Sequence, residues 1–456
     1  MDETPHSAST LSPPPGWFRW LVLILISLAM FGNYYIYDSI SPLADVLKAQ
    51  LGYSDSEIGL LNAIYSFPNI IMVLIGGLII DRIGTRKSVM IFTAVIMVGA
   101  AVTAVSGTIV SMAAGRLIFG LGAESMIVAI TTAVARWFKG KELSFAFGIN
   151  LTIARLGSFL ALNAPTWGKH LYEYWQTPLL VTVAAGVFAL VCAVLYAIID
   201  RSASRWYAVG KDGQQDKVVL KEIFNFGWSF WYITALCVTF YSAMFPFQTF
   251  AIKFFQEAHG TTREVGGNLS SMLTLAAMVF TPLFGLLVDR IGKRALFMMF
   301  GSMLIIPVYL MMAYKVDLVT PLGLSGFVEL NSNFFDIHSR IPAYLIVPMS
   351  MMGIAFSLVP AIMWPSVAYV VDQRRLGTAY GLMTMIQNVG LFAFNLLIGW
   401  ANDTSGAGAA HPEGYTLGMW IFSSLGFFGF VFALLLRRRE TGPSAHGLET
   451  ITTRGG

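Results

Sequence analysis

The sequence predicts an all-α, polytopic membrane protein of twelve transmembrane helices in two pseudo-symmetric six-helix bundles. Three observations predict it. Charged residues make up only 12% of the 456-residue chain and hydrophobic ones 56%, whereas soluble domains carry about 25% charge. Apolar runs of about 20 residues, the length that crosses a hydrocarbon core, recur twelve times. A loop motif appears once in each set of six runs, at Gly77–Lys87 and again at Gly285–Arg294.

Taken in order, residues 1–16 are polar and end in Ser12-Pro-Pro-Pro-Gly16, so a disordered tail is expected. The first bundle, 17–200, holds apolar runs at about 20–46, 55–80, 86–106, 110–136, 143–168 and 177–200. The stretch 201–225, with Arg201, Arg205, Lys211, Lys217 and Lys221, reads as a cytoplasmic central loop. The second bundle, 226–438, holds runs at about 227–256, 262–289, 295–314, 342–371, 376–402 and 414–436. Segment 315–341 is an enlarged outer loop within it, and 439–456 is a C-terminal tail. The first apolar run is too long for a signal peptide and lacks a small-residue cleavage site. Cys192 and Cys237 fall inside spans, so no disulfide is expected. The six histidines fall in tails or outer loops, which argues against a histidine proton relay.

Basic residues set the orientation. With the N-terminus inside, inner segments carry 21 of the 29 Lys and Arg and outer segments six; Arg116 and Arg155 lie within spans. Both termini are therefore expected in the cytoplasm. The net charge of +4 is modest and gives no reason to expect nucleic acid.

The halves repeat. Gly77, Asp81, Arg82, Gly84 and Arg86 align with Gly285, Asp289, Arg290, Gly292 and Arg294 at an offset of 208. Ala146-Phe-Gly148 aligns with Ala379-Tyr-Gly381 at 233, and the difference is taken up by segment 315–341. A mechanical role follows. Asp81 should sit against the N-terminus of helix 11 near Leu376-Gly377-Thr378, and Asp289 against that of helix 5 near Leu143. Helix N-termini favour carboxylates, so the two contacts would latch the cytoplasmic side while the outside is open. The glycines would allow close approach and tight turns.

Two ionisable residues stand mid-span, Glu124 in helix 4 and Arg155 in helix 5. A charge at that depth costs roughly 2.5–3.5 kcal/mol on insertion scales and usually faces a protein interior or a water-filled path. Either the two hold each other, or Glu124 holds a substrate ammonium and Arg155 a substrate carboxylate, which suits a planar guanidinium. Gly120 and Gly122 leave room for a ligand or a neighbouring helix. Asp38 and Arg116 form a second candidate pair, a gating ion pair near the outer mouth or a proton-coupling site. Gln387, Asn388, Thr384 and Asn395 in helix 11, Tyr34 and Tyr37 in helix 1, Tyr241 in helix 7 and Trp364 beside Pro365 in helix 10 are further candidates for the cavity wall; helix packing would use them equally well. No P-loop, metal-ligand cluster or enzyme signature is present, so an enzyme and a cofactor are not expected.

The doubled G-xxx-D-R-x-G-x-[RK] loop in a twelve-span chain resembles the signature of the major facilitator superfamily. Longer strings, FGNYYIYD (31–38), GRLIFGLGAES (115–125), WFKGKEL (137–143), IARLGS (153–158), FGLLVDRIGK (284–293) and LGTAYGLMTMIQNVGL (376–391), are similar to those of its lysosomal dipeptide uniporters and their prokaryotic relatives. The resemblance implies alternating access around a central site, dipeptides recognised by their charged termini, and an accessory subunit as a candidate partner at loop 315–341. The N-terminal tail lacks the acidic dileucine signal of the lysosomal relatives, so a plasma membrane or bacterial inner membrane is expected. Two alternatives stand beside this reading: a proton-coupled carrier of amino acids, organic anions or drugs, and a non-transporting receptor or assembly partner.

Overall fold

The computed structural model describes residues 15–138, 142–207, 226–319, 323, 326–332, 337–372 and 375–452. Residues 1–14 of the expected disordered tail, most of the central loop, and Lys139, Lys141 and Arg374 lie outside the described residues; Gly16, assigned to the tail, opens the first helix. Twelve long helices follow one another: α1 Gly16–Asp38, α2 Asp55–Ile83, α3 Thr85–Val105, α4 Ile109–Phe138, α5 Leu143–Leu162, α6 Gln176–Trp206, α7 Trp228–His259, α8 Arg263–Ile291, α9 Arg294–Ala313, α10 Ile346–Val370, α11 Leu376–Thr404 and α12 Thr416–Glu440. Among the described residues eleven are long and apolar enough to cross a membrane, and α2, whose two pieces are bent by 54°, makes the twelfth when they are taken as one span. With twelve crossings both chain ends emerge on one face, the terminal face; the other is the far face.

Local chemistry sets the helix ends. Ser54 and Glu57 form a reciprocal capping box at the start of α2. Thr262 caps α8. Gly84 and Gly292, at φ 79° and 73°, make the tight turns of the two repeated loops, a conformation that favours glycine. Helix 1 is broken: after Asp38 come a short turn, Ser41–Leu43, and a short helix, Ala44–Leu51. Pro42 has no N–H to offer the Asp38 carbonyl one turn back.

Side chains such as Leu78, Val105, Ile198 and Leu283 are exposed on the outside, as a lipid-facing surface requires. Inside are two hydrophobic clusters. One belongs to the first half, from Val22 to Ala203. The other fills the second half and takes in Leu43, Leu47, Ile58, Leu61 and Trp175, the far ends of the first half. The halves thus share a core on the far side.

Three expectations need correction. Helix α6 runs on through Arg201 and Arg205 to Trp206, so the central loop starts later than 201. The enlarged loop contains a hairpin, β1 Phe327–Ser332 antiparallel to β2 Ile337–Pro342, with Phe327 opposite Pro342. The tail after α12 is folded back. Glu449 accepts hydrogen bonds from the N–H groups of Ala295 and Leu296 at 2.8 and 3.2 Å, the orphan donors at the start of α9. Leu448 is fully buried. Glu440 accepts from the His446 backbone at 2.8 Å.

Candidate functional site

Between the halves lies a cavity of about 290 Å³. Its walls hold Tyr34 and Tyr37 of α1, Glu124 of α4, Arg155 of α5, Tyr241 of α7, Trp364 of α10, and Gln387 and Asn388 of α11. The structure therefore brings together nine of the ten residues that the sequence suggested for the substrate or the cavity wall, Thr384 among them; Asn395 is buried but does not line this cavity. It adds Asn33, Tyr65, Phe245 and Leu391, which sequence reasoning passed over because nothing marks one face of an apolar helix as facing a cavity.

Glu124 and Arg155 face this space without forming an ion pair with one another among the described residues. The Arg155 guanidinium lies 5.7 Å from the ring centres of both Tyr34 and Phe356, where a cation is attracted to the ring faces. The Tyr65 hydroxyl lies beside the Glu124 carboxylate. Neither arrangement neutralises a charge. A ligand with one positive and one negative end would pair both, and breaking up buried charge pairs costs several kcal/mol.

The opposite wall is aromatic and fixed. Trp364 Nε1 donates to the Tyr241 hydroxyl at 2.9 Å, and the Tyr380 hydroxyl donates to the Trp364 carbonyl at 3.1 Å. Tyr241 stacks on Phe245 with ring centres 5.4 Å apart. Asn388 donates to the Thr384 carbonyl at 3.0 Å, and the Cys237 thiol donates to Gln387 at 3.5 Å. Gly120 and Gly122 serve helix packing: a Cβ on Gly120 would meet Pro68 at 2.7 Å, and one on Gly122 the Phe92 carbonyl at 2.7 Å.

Arg116 does not form the expected ion pair with Asp38. Its guanidinium donates to the Ile36, Tyr37 and Leu61 carbonyls at 3.1, 3.3 and 3.1 Å and to Asn62 Oδ1 at 2.7 Å. Ile36 and Tyr37 belong to the last turn of α1, whose carbonyls have no helical partners. Two of these bonds go to the broken end of α1, where a cation is also favoured, and two go to Leu61 and Asn62 of α2. Asp38 instead lines a small chamber with Ser41, Gln248 and Thr249, and Tyr37 and Phe245 line both this chamber and the main cavity.

A set of hydrogen bonds joins the halves on the far side. Lys253 of α7 donates to both carboxylate oxygens of Asp55 of α2, at 2.6 and 2.7 Å. Both residues are buried, and Glu257 approaches Lys253 to 3.3 Å. Asp403 of α11 accepts from the backbone N–H groups of Asp55 and Ser56 at 2.8 and 2.7 Å, a carboxylate at a helix N-terminus. Arg263 pairs with Asp45 at 2.5 Å, and Asn163 donates to Asn268 at 2.8 Å. The sequence showed Lys253 only as one of six outer basic residues.

The latch residues lie on the terminal face. Asp81, Arg82 and Arg290 are exposed. Asp289 pairs with Arg294 of its own half at 2.5 Å, and Arg86 approaches Asp200 to 3.6 Å. Nothing meets a Cβ added to Gly285 within 4 Å, so that glycine makes no close approach here.

The chain is similar to known proteins along most of its length. The model of the Major Facilitator Superfamily matches residues 26–327 and 247–451. The lysosomal dipeptide transporter MFSD1 of Bos taurus is 32% identical over 401 residues, spanning 85% of this chain and 80% of that protein. The protein of the same name from Homo sapiens is 32% identical over 401 residues, spanning 85% and 81%. Among solved structures, a bacterial homolog of the human lysosomal transporter Spinster, inward-facing and unoccupied, superposes with a TM-score of 0.70 at 14% identity, covering 93% of this chain and 98% of that one.

Proposed function

The chain belongs to the Major Facilitator Superfamily, and we propose that it carries dipeptides across a membrane, Glu124 holding the amino end and Arg155 the carboxylate end. It is a transmembrane transporter and not an enzyme, as its relatives and fold are. The observation that carries the reading of a substrate with two charged ends is that Glu124 and Arg155 face one cavity without pairing with each other. The relatives' name supports a dipeptide over a single amino acid; an acid and a base alone would accept either.

In this reading the terminal face is cytoplasmic, because inner segments carry 21 of 29 basic residues, and the far-closed arrangement is inward-facing. An accessory subunit is a candidate partner at the loop that carries the β1–β2 hairpin. The test is uptake of a radiolabelled dipeptide into proteoliposomes. The reading predicts uptake that unlabelled dipeptides compete away and that Glu124→Gln and Arg155→Ala each abolish. Equal competition by single amino acids would replace dipeptides with amino acids as the substrate.

A further inference from the structure

A buried line of hydrogen bonds runs from one wall of the cavity to the other through the joint between the halves. Arg116 of α4 donates to Asn62 Oδ1 at 2.7 Å. Asn62 Nδ2 of α2 donates to Thr249 Oγ1 at 3.0 Å. The Thr249 hydroxyl of α7 donates to Asn395 Oδ1 of α11 at 2.9 Å. Asn395 Nδ2 donates to the Leu391 carbonyl at 2.9 Å. Every link points the same way, which strengthens such chains, and all four side chains are at most 6% exposed.

Each end touches the cavity wall. Arg116 caps α1 through the carbonyls of Ile36 and Tyr37 and lies 5.9 and 5.6 Å from the ring centres of Tyr37 and Tyr65. Both tyrosines line the cavity, as does Leu391. The middle link, Asn62 to Thr249, crosses from the first half to the second and must break when the far side opens.

We propose that Arg116 is a positioning residue that ties the cavity wall to the far-side closure. Its guanidinium fixes the broken end of α1 and presents Asn62 to Thr249, so the wall that a substrate touches and the seal between the halves share one hydrogen-bonded unit. This role needs four directed donors. A lysine, with a single ammonium, supplies the charge but cannot reach four acceptors on α1 and α2 together. The inference rests on the cavity being the substrate site; the closure itself is independent of any ligand.

The test uses purified full-length protein carrying Phe250→Cys, a buried position next to Thr249; the native Cys192 and Cys237 are buried. Maleimide labelling without ligand reads opening of the far-side joint. Thr249→Val removes the crossing link and keeps the shape. Labelling is expected to rise about fivefold, the effect of one lost hydrogen bond, and Asn395→Ala to do the same. Arg116→Lys is expected to match them instead of the parent. In proteoliposomes Thr249→Val should change the maximal transport rate and leave the half-saturating dipeptide concentration within twofold. Labelling of Thr249→Val and Asn395→Ala within twofold of the parent would overturn the proposal, as would full transport by Arg116→Lys. A wild type that free dipeptides do not stabilise removes the cavity reading instead; the labelling arm, which uses no ligand, still decides this one.

Discussion

Lys253 and Asp55 lie on opposite halves of the molecule, and the lysine Nζ stands 2.6 and 2.7 Å from the two carboxylate oxygens. With both residues buried, this contact is the most completely desolvated ion pair on the far side. Removing one partner of such a pair leaves an uncompensated charge and costs about 3–5 kcal/mol, whereas replacing both with apolar residues is often neutral. Lys253→Met should therefore lower the thermal unfolding midpoint sharply, and Asp55→Leu combined with Lys253→Met should recover most of the loss. Equal midpoints for the single and double variants would show that the pair does not hold the halves together.

The far ends of α2 and α11 approach through glycine. A Cβ on Gly399 would lie 2.5 Å from the Asp55 carbonyl and 2.8 Å from Ser56 Cα, backbone atoms that cannot move aside separately. Gly399→Val should disfavour the far-closed arrangement and raise the labelling of Phe250→Cys by tenfold or more, which takes about 1.4 kcal/mol. Unchanged labelling would mean that the helices accommodate the side chain by sliding.

The folded-back tail makes a local prediction. Glu449 supplies the cap that α9 lacks from its own N-cap residue, Lys293. Glu449→Ala should cost about 1 kcal/mol, in the range of lost helix caps, and a chain ending at Thr441 should lose more, because Leu448 leaves its buried site. The measurement is thermal unfolding; a truncated chain as stable as the whole would show that the strap adds nothing.

The terminal-face latch is expected to act only in the opposite arrangement. Asp81→Asn should leave Phe250→Cys labelling without ligand no higher than in the parent, because the latch stabilises the far-open form, and should slow net transport. Transport and protein level both unchanged would remove the latch.

The spans were legible because twelve apolar runs admit few other readings. The cavity residues were legible for the same reason in reverse: Glu124 and Arg155 stand out in runs that otherwise exclude charge. Other features left no local trace. The partner of Lys253 lies 198 positions away, and no spacing reports it. Arg116 was visible as a buried cation, but most of its acceptors are backbone carbonyls, which every residue has. Asp38, expected beside it near the outer mouth, drew the pairing that the broken end of α1 and Leu61 and Asn62 of α2 take instead. The tail was read as a tail because its role is to complete a helix end formed by a distant segment.

The measurement that tests the central claim most directly is thermal stability of the purified protein with free dipeptides and with dipeptides blocked at either end. A ligand that binds only the folded state at 100 times its Kd adds about 2.7 kcal/mol. The account predicts that free dipeptides raise the unfolding midpoint, that neither blocked form does, and that Glu124→Gln and Arg155→Ala each remove the effect. Equal stabilisation by free and blocked peptides would contradict it, for then Glu124 and Arg155 do not read the two ends of the substrate.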